Sequence, residues 1–172
     1  MKNILKLGLL VALFFTFNAS FAQSKTKIGH INSADLLAAM PQRDSAQKVL
    51  EAYSKSLEKT LIEMQSEVES KYQKYMADQK TMNEIVKQSK EKEIQEMQKR
   101  LEDFQKSAQE DVSKKEQELV APILDKAKKA IEDVAKENGY TYILDTSAGL
   151  VLYFDKGDDI IALVKKKLGI VK

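Results

Sequence analysis

The sequence predicts an α+β protein in which a long antiparallel helical hairpin stands on a small β-sheet base. Three observations predict it. From Gln42 to Asn138 the chain holds no glycine and one proline, Pro122. Within that run the apolar residues recur every eleven positions. Short segments rich in aromatic and β-branched residues flank it on both sides. A run of 97 residues is too long for one globular helix and too polar to span a membrane. Two helices folded back on each other satisfy both constraints.

The first residues are of another kind. Lys2 and Lys6 make a basic start, Leu7 to Phe17 is almost wholly apolar, and Ser20 and Ala22 are small residues ahead of Gln23. This is the pattern of a cleaved secretory signal over residues 1–22, a retained N-terminal anchor being the other reading. The leader holds two of the 28 Lys and Arg and none of the 26 Asp and Glu, so the mature chain carries 26 of each and is neutral. Nucleic-acid binding rests on clustered positive charge, so no nucleic-acid partner is expected. The absence of cysteine excludes disulfides and thiol chemistry.

The expected base combines residues 23–41 and 139–172, and the arm is 42–138. Lys27 to Asn32 alternates as a short strand, and Asn32 or Ser33 caps a brief helix, Ala34 to Met40, which Pro41 interrupts. In the first arm Leu50, Leu61 and Tyr72 are eleven apart, as are Tyr53, Met64 and Tyr75, and Leu57 and Val68. Eleven residues over three turns is about 3.67 per turn, a slight right-handed drift rather than heptad winding. The second arm repeats the spacing in Met97, Ala108, Leu119 and Ala130, and in Leu101, Val112, Ile123 and Val134. Phe104 begins a third row that Lys115 and Lys126 continue, so the stripe narrows toward the base. Arms that share one period pack along their lengths.

The reversal is expected between Ala77 and Asn83, because Thr81 followed by Glu84 fits a capping box. The first arm is then roughly 55 Å long. Pro122 removes one helical hydrogen bond and is expected to bend the second arm. Asn138-Gly139 is a left-handed helix exit. Tyr140 to Leu144 and Leu150 to Phe154 read as strands, with Asp145 to Gly149 a hairpin loop between them. Lys156-Gly157 turns the chain, and Asp158 or Asp159 caps a last helix to about Leu168, whose Lys165, Lys166 and Lys167 suit its negative end.

Three short strands, apolar on nearly every residue, want cover on both faces and along their edges. A homo-oligomer with a shared β base follows, and the candidates for that contact are Ile28, Ile31, Ile143, Leu144, Val151, Leu152, Tyr153 and Phe154. Periodicity does not choose the number of copies.

The order of these elements, with KIGHINSADLL before the hairpin and YTYILDTSAGLVLYF after it, resembles the Skp/OmpH family across essentially the whole mature chain. The resemblance implies a periplasmic chaperone, a homotrimer in which all three chains form a β-barrel base and three arms enclose a cavity. It implies that unfolded outer-membrane proteins are held in that cavity without ATP. Better-known members of the family are strongly basic, whereas this mature chain is neutral, which counts against binding of lipopolysaccharide or anionic lipid. Lys71 to Arg100 keeps eight basic and five acidic residues, read as a solvated helix surface. A structural coiled-coil spacer or scaffold of the cell envelope is the alternative function.

A chaperone of unfolded chains needs adaptable apolar surface, and methionine supplies it. Met64, Met76, Met82 and Met97 lie in the middle and outer hairpin with Tyr72, Tyr75 and Ile85 nearby. Met76, Met82, Ile85, Tyr72, Tyr75 and Met97 are the client-binding candidates. Met64, Tyr72 and Tyr75 lie on the eleven-residue rows and also suit the seam between the arms, whereas Met76, Met82 and Ile85 lie off them. His30 is the one histidine; it makes neither a metal site nor a catalytic base and is expected to face a neighbour or solvent, a titrating contact in the base being the lesser option. Asp155, Asp158 and Asp159 lack calcium-loop spacing and read as a turn with a helix cap. With no Gly-rich phosphate loop and no nucleophile–base pair, neither enzyme activity nor a cofactor or metal is expected.

Overall fold

A computed structural model describes residues 26–170. The expected leader, residues 1–22, lies outside them. In chain order the elements are strand β1 (Ile28–Ile31), helices α1 (Ser33–Ala38), α2 (Pro41–Asp78) and α3 (Glu84–Glu137), strand β2 (Tyr142–Asp145), a 3-10 turn (Lys156–Asp158) and helix α4 (Ile161–Lys167).

The helix ends follow from local chemistry. Asn32 caps α1 by accepting from the Asp35 amide. Pro41 opens α2, where its missing N–H costs nothing. At the tip the cap is Asn83, whose side chain accepts from the Val86 amide at 2.9 Å. Thr81 is not the cap; its hydroxyl donates back to the Asp78 carbonyl at 2.8 Å and closes the turn after α2. The reversal therefore falls in residues 79–83, within the expected span. At the other end Asn138 and Gly139 stop α3, Gly139 taking φ +69°. The Tyr140 amide then donates to the Ala135 carbonyl, satisfying a last-turn acceptor.

Along the arms the buried and half-buried positions step by three and four. In α2 they include Leu50, Leu57, Leu61, Met64, Val68 and Tyr75, and in α3 Ile94, Met97, Leu101, Phe104, Ala108, Val112 and Leu119. The α3 helix has 54 residues against 38 in α2, an excess that adds about 24 Å at 1.5 Å per residue. That excess runs on past Pro122 into the base. There Ile123, Ala127, Ala130 and Val134 pack with Ile31, Leu36, Met40, Ile160 and Val164 as one apolar core.

The sheet differs from expectation. It has two strands, β1 and β2, paired in parallel with Ile28 opposite Tyr142 and Ile31 opposite Asp145. Leu150 to Phe154 forms no strand and no hairpin with Tyr140 to Leu144. The reason lies in the residues after β2. The Thr146 amide donates to the Ile31 carbonyl at 2.9 Å, and Asp145 accepts from the Ser33 hydroxyl and from the Ser147 amide. The chain is thus carried across the end of β1 toward α1 instead of doubling back along β2. The far edge of β1 is occupied as well, because Asp159 bridges His30 and the Ile160 amide donates to the His30 carbonyl at 3.0 Å. Gly29 allows Tyr140 to lie on β1; a Cβ there would stand 2.9 Å from the Tyr140 ring. Among the described residues no helix is long and apolar enough to cross a membrane.

Candidate functional site

Two surfaces carry the candidate residues. The first is the arm. Two turns from the tip, Lys71 on α2 and Lys90 on α3 both reach Glu93, at 2.6 and 2.9 Å, and the Tyr75 hydroxyl donates to Glu91. Hydrogen bonds and charge from Lys71 and Lys90 hold the Glu93 carboxyl down at about 2. The same hydrogen bond raises Lys71, and the bond to Glu91 raises Tyr75. Behind this clasp Ile94 and Met97 are buried.

Of the six client-binding candidates, the arm exposes Tyr72, Met76 and Ile85, with Ile85 81% accessible. Met82 and Tyr75 are half-buried, and Tyr75 is tied into the seam by its hydroxyl. Met97 is 5% exposed and belongs to the seam, where its row with Ala108 and Leu119 places it. Sequence reasoning missed Val49, Ile62, Val86, Val120 and Leu124, all exposed. The signal was there. Val49, Ile62, Val120 and Leu124 each stand one residue from a seam position (Leu50, Leu61, Leu119, Ile123), and adjacent residues on a helix point about 100° apart. An apolar side chain beside a row is therefore left on the flank of the seam. At the arm root such residues line two open apolar grooves. One, of about 570 Å³, is bordered by Pro41, Val49, Leu119 and Pro122. The other, of about 270 Å³, is bordered by Leu50, Val120, Ile123 and Leu124.

The second surface is at the base. Ile28, Tyr142 and Leu144 are exposed, and so are Leu150, Leu152, Tyr153 and Phe154, with Leu152 97% accessible. Ile143 and Val151 are half-buried. Ile31 departs from its expected place: it lies in the chain's own core and is not free for contact with another copy. Tyr142, missed at first, shares a strand face with Leu144 by simple alternation. Asp145 fixes this region. Partial burial pushes its carboxyl up, but hydrogen bonds from Ser33 and Ser147 outweigh that and hold it at about 2. His30 is buried with its ring on Phe154, so of the two expected surroundings it has a neighbour and not solvent.

The family of OmpH-like outer membrane proteins matches residues 27–168 of this chain. The chain belongs to the OmpH-like family. The match spans α1 to α4 and both strands, so it covers arm and base together. Among curated relatives, the chaperone protein Skp of Photorhabdus luminescens is 34% identical over 92% of this chain and 93% of its own length. The chaperone protein Skp of Pectobacterium atrosepticum is 27% identical over 94% of each. Among solved structures, an OmpH-like protein of Caulobacter crescentus, assigned as a candidate outer membrane chaperone, superposes with a TM-score of 0.73. It does so over 90% of this chain and 89% of its own, at 13% identity, which is a likeness of fold.

Proposed function

We propose that this OmpH-like protein is a periplasmic chaperone that holds unfolded outer-membrane proteins against its helical arms without ATP. The observation that carries the reading is the set of large apolar side chains left exposed on a polar hairpin: Val49, Ile62, Tyr72, Met76, Ile85, Val120 and Leu124. A hairpin that served only as a spacer would gain nothing from them, whereas chains without fixed shape are held by scattered, adaptable apolar contact. Relatives named as Skp chaperones support the same reading.

The working form is a homotrimer whose bases join into a shared β-barrel, so that three arms enclose the client. The exposed segment Leu150 to Phe154 and the outer edge of β2, with Ile28 and Leu144, supply the contact. In one chain these groups leave strand edges and apolar side chains in water, which a neighbouring copy would cover. Export through a leader at residues 1–22 places the protein in the periplasm. Catalysis has no part in this account, and release needs only a downstream competitor for the client.

Charge plays a minor role, because the mature chain carries 26 basic and 26 acidic residues and, in the outer arm, Lys71 and Lys90 are paired with Glu93. Lipopolysaccharide and anionic lipid are accordingly not assigned as partners. The test is to dilute a denatured outer-membrane β-barrel protein into this chain, following light scattering and complex mass together. The expected result is suppressed aggregation, a complex of three copies with one client, and little change with salt. Unchanged aggregation at every protein and salt concentration would overturn the reading in favour of an envelope scaffold.

A further inference from the structure

The chain has no cysteine, so its sulfur lies in methionine alone. Beyond Met1 there are Met40, Met64, Met76, Met82 and Met97, and their exposure is graded. Met40, in the base core, and Met97, behind the Glu93 clasp, are buried. Met64 and Met82 are half-buried. Met76 is 43% accessible and, among the described residues, the one exposed methionine. It stands on the last turn of α2, four residues after the exposed Tyr72 and so on the same helix face. A polar group is already in place beside its sulfur. The Gln79 backbone amide donates to the Tyr75 carbonyl at 2.8 Å, and the Gln79 side chain turns back over Met76. Its Nε2 lies 3.4 Å from the Met76 carbonyl oxygen and 3.5 Å from Sδ, and the NH2 group has a hydrogen for each.

We propose that Met76 is an oxidant-responsive modification site: a two-electron oxidant of the peroxide class converts its thioether to the sulfoxide and so loosens the arm's hold on an unfolded client. The release rests on the chaperone function proposed above; the site itself does not. In the step a sulfur lone pair attacks one peroxide oxygen, the O–O bond breaks and an S–O bond forms. Sulfur gives up two electrons, and the second oxygen leaves as water with both peroxide hydrogens. Attack requires that the oxidant reach the sulfur, which sets Met76 ahead of the half-buried and buried methionines. The product is polar, so Tyr72 and Met76 cease to be one apolar patch. The new oxygen is a stronger acceptor than the thioether, and the Gln79 N–H beside Sδ is the donor that meets it. The arm keeps its fold through the change, because the clasp of Lys71, Lys90 and Glu93 is made without Met76.

The experiment treats the full chain with rising hydrogen peroxide, removes the peroxide and divides each sample. Peptide mass mapping gives the order in which the methionines gain an oxygen. Titration with a denatured outer-membrane β-barrel protein, added afterwards, gives the affinity for a client. The expected result is that Met76 gains its oxygen first and that affinity falls with it about two- to tenfold, the size of one lost thioether–aromatic contact. Amide exchange of the outer arm is expected to stay as it was. In Met76→Leu, judged by the ratio of treated to untreated affinity within that protein, the fall is expected to vanish at the same dose. Oxygen entering Met64 or Met82 before Met76 would overturn the site, and an equal fall in Met76→Leu would overturn the release. An untreated chain that holds no client would overturn the chaperone function and the release with it, and the mapped order would still decide the site.

Discussion

The base and the arm of this protein are built on different terms. In the base Ile31, Leu36, Met40, Ile160 and Val164 are almost wholly buried, drawn together from two distant stretches of sequence, 31–40 and 160–164. In the arm α2 has no buried residue, and the arm portion of α3 has two, Ile94 and Met97. The base is thus an ordinary apolar core, where each side chain removed costs both transfer and cavity energy. The arm is a half-buried ladder held by many small contacts and a few ion pairs, each weak alone. The difference teaches how one short chain can be firm where it is proposed to assemble and yielding where it is proposed to meet unfolded chains. Stability of this kind is distributed unevenly, with local opening at the weak end far easier than global unfolding.

The comparison can be broken first at the core. Leu36→Ala, at a fully buried position, is expected to cost about 2–5 kcal/mol, measured by denaturant unfolding of the whole chain. A loss under about 1 kcal/mol would mean that the base is not the stable unit. Met97→Ala should cost about 2 kcal/mol, at the low end because a seam between two helices collapses more readily than a core. Its effect belongs in the amide exchange of the outer arm, with the base amides unchanged. Faster exchange spread evenly over both regions would merge what is here kept apart.

Acid provides a third, smaller distinction. The Glu93 carboxyl is held at about 2 in the folded chain, below its ordinary 4.5. Its contribution is therefore complete above about 4.5 and is lost as pH falls through about 2. Over that window the outer-arm amides should lose protection in the wild type, and Glu93→Gln should remove that pH dependence while leaving neutral-pH folding intact. Asp145, also held at about 2, titrates in the same window but acts on the base through Ser33 and Ser147. Ser33→Ala is the matching control, expected to move base amides alone. The smallest stability effect is expected at Ile85→Ser, within about 0.5 kcal/mol because the side chain is exposed. Its consequence should appear instead as weaker retention of an unfolded client.

Much of this was legible in the residues. The Gly-free run, the eleven-residue rows and Asn138-Gly139 placed both arms and the helix exit, and Thr81 with Glu84 placed the tip within its span, since each is a local property of the chain. The third strand was not legible. Leu150 to Phe154 has every intrinsic mark of a strand, but pairing is non-local, and the Thr146 and Asp145 hydrogen bonds that divert the chain are invisible in sequence. The same limit applies to the cap, because Thr81 and Asn83 are both capping residues and turn geometry alone chooses between them. At the site, Met97 could have been assigned to the seam from its row. The exposed flank of Val49, Ile62, Val120 and Leu124 could have been found as the apolar residues standing beside the rows. Ile123 and Val134 continue the seam row of Leu101 and Val112 yet serve the base, so one periodic stripe spans two regions with different tasks.

The division of labour between the two regions is tested most directly by photo-crosslinking from single positions, Met76 on the arm and Leu152 on the base, with an unfolded outer-membrane protein bound. The account predicts crosslinks to the client from position 76 and crosslinks between copies from position 152. Client crosslinks from position 152 with none from position 76 would contradict it.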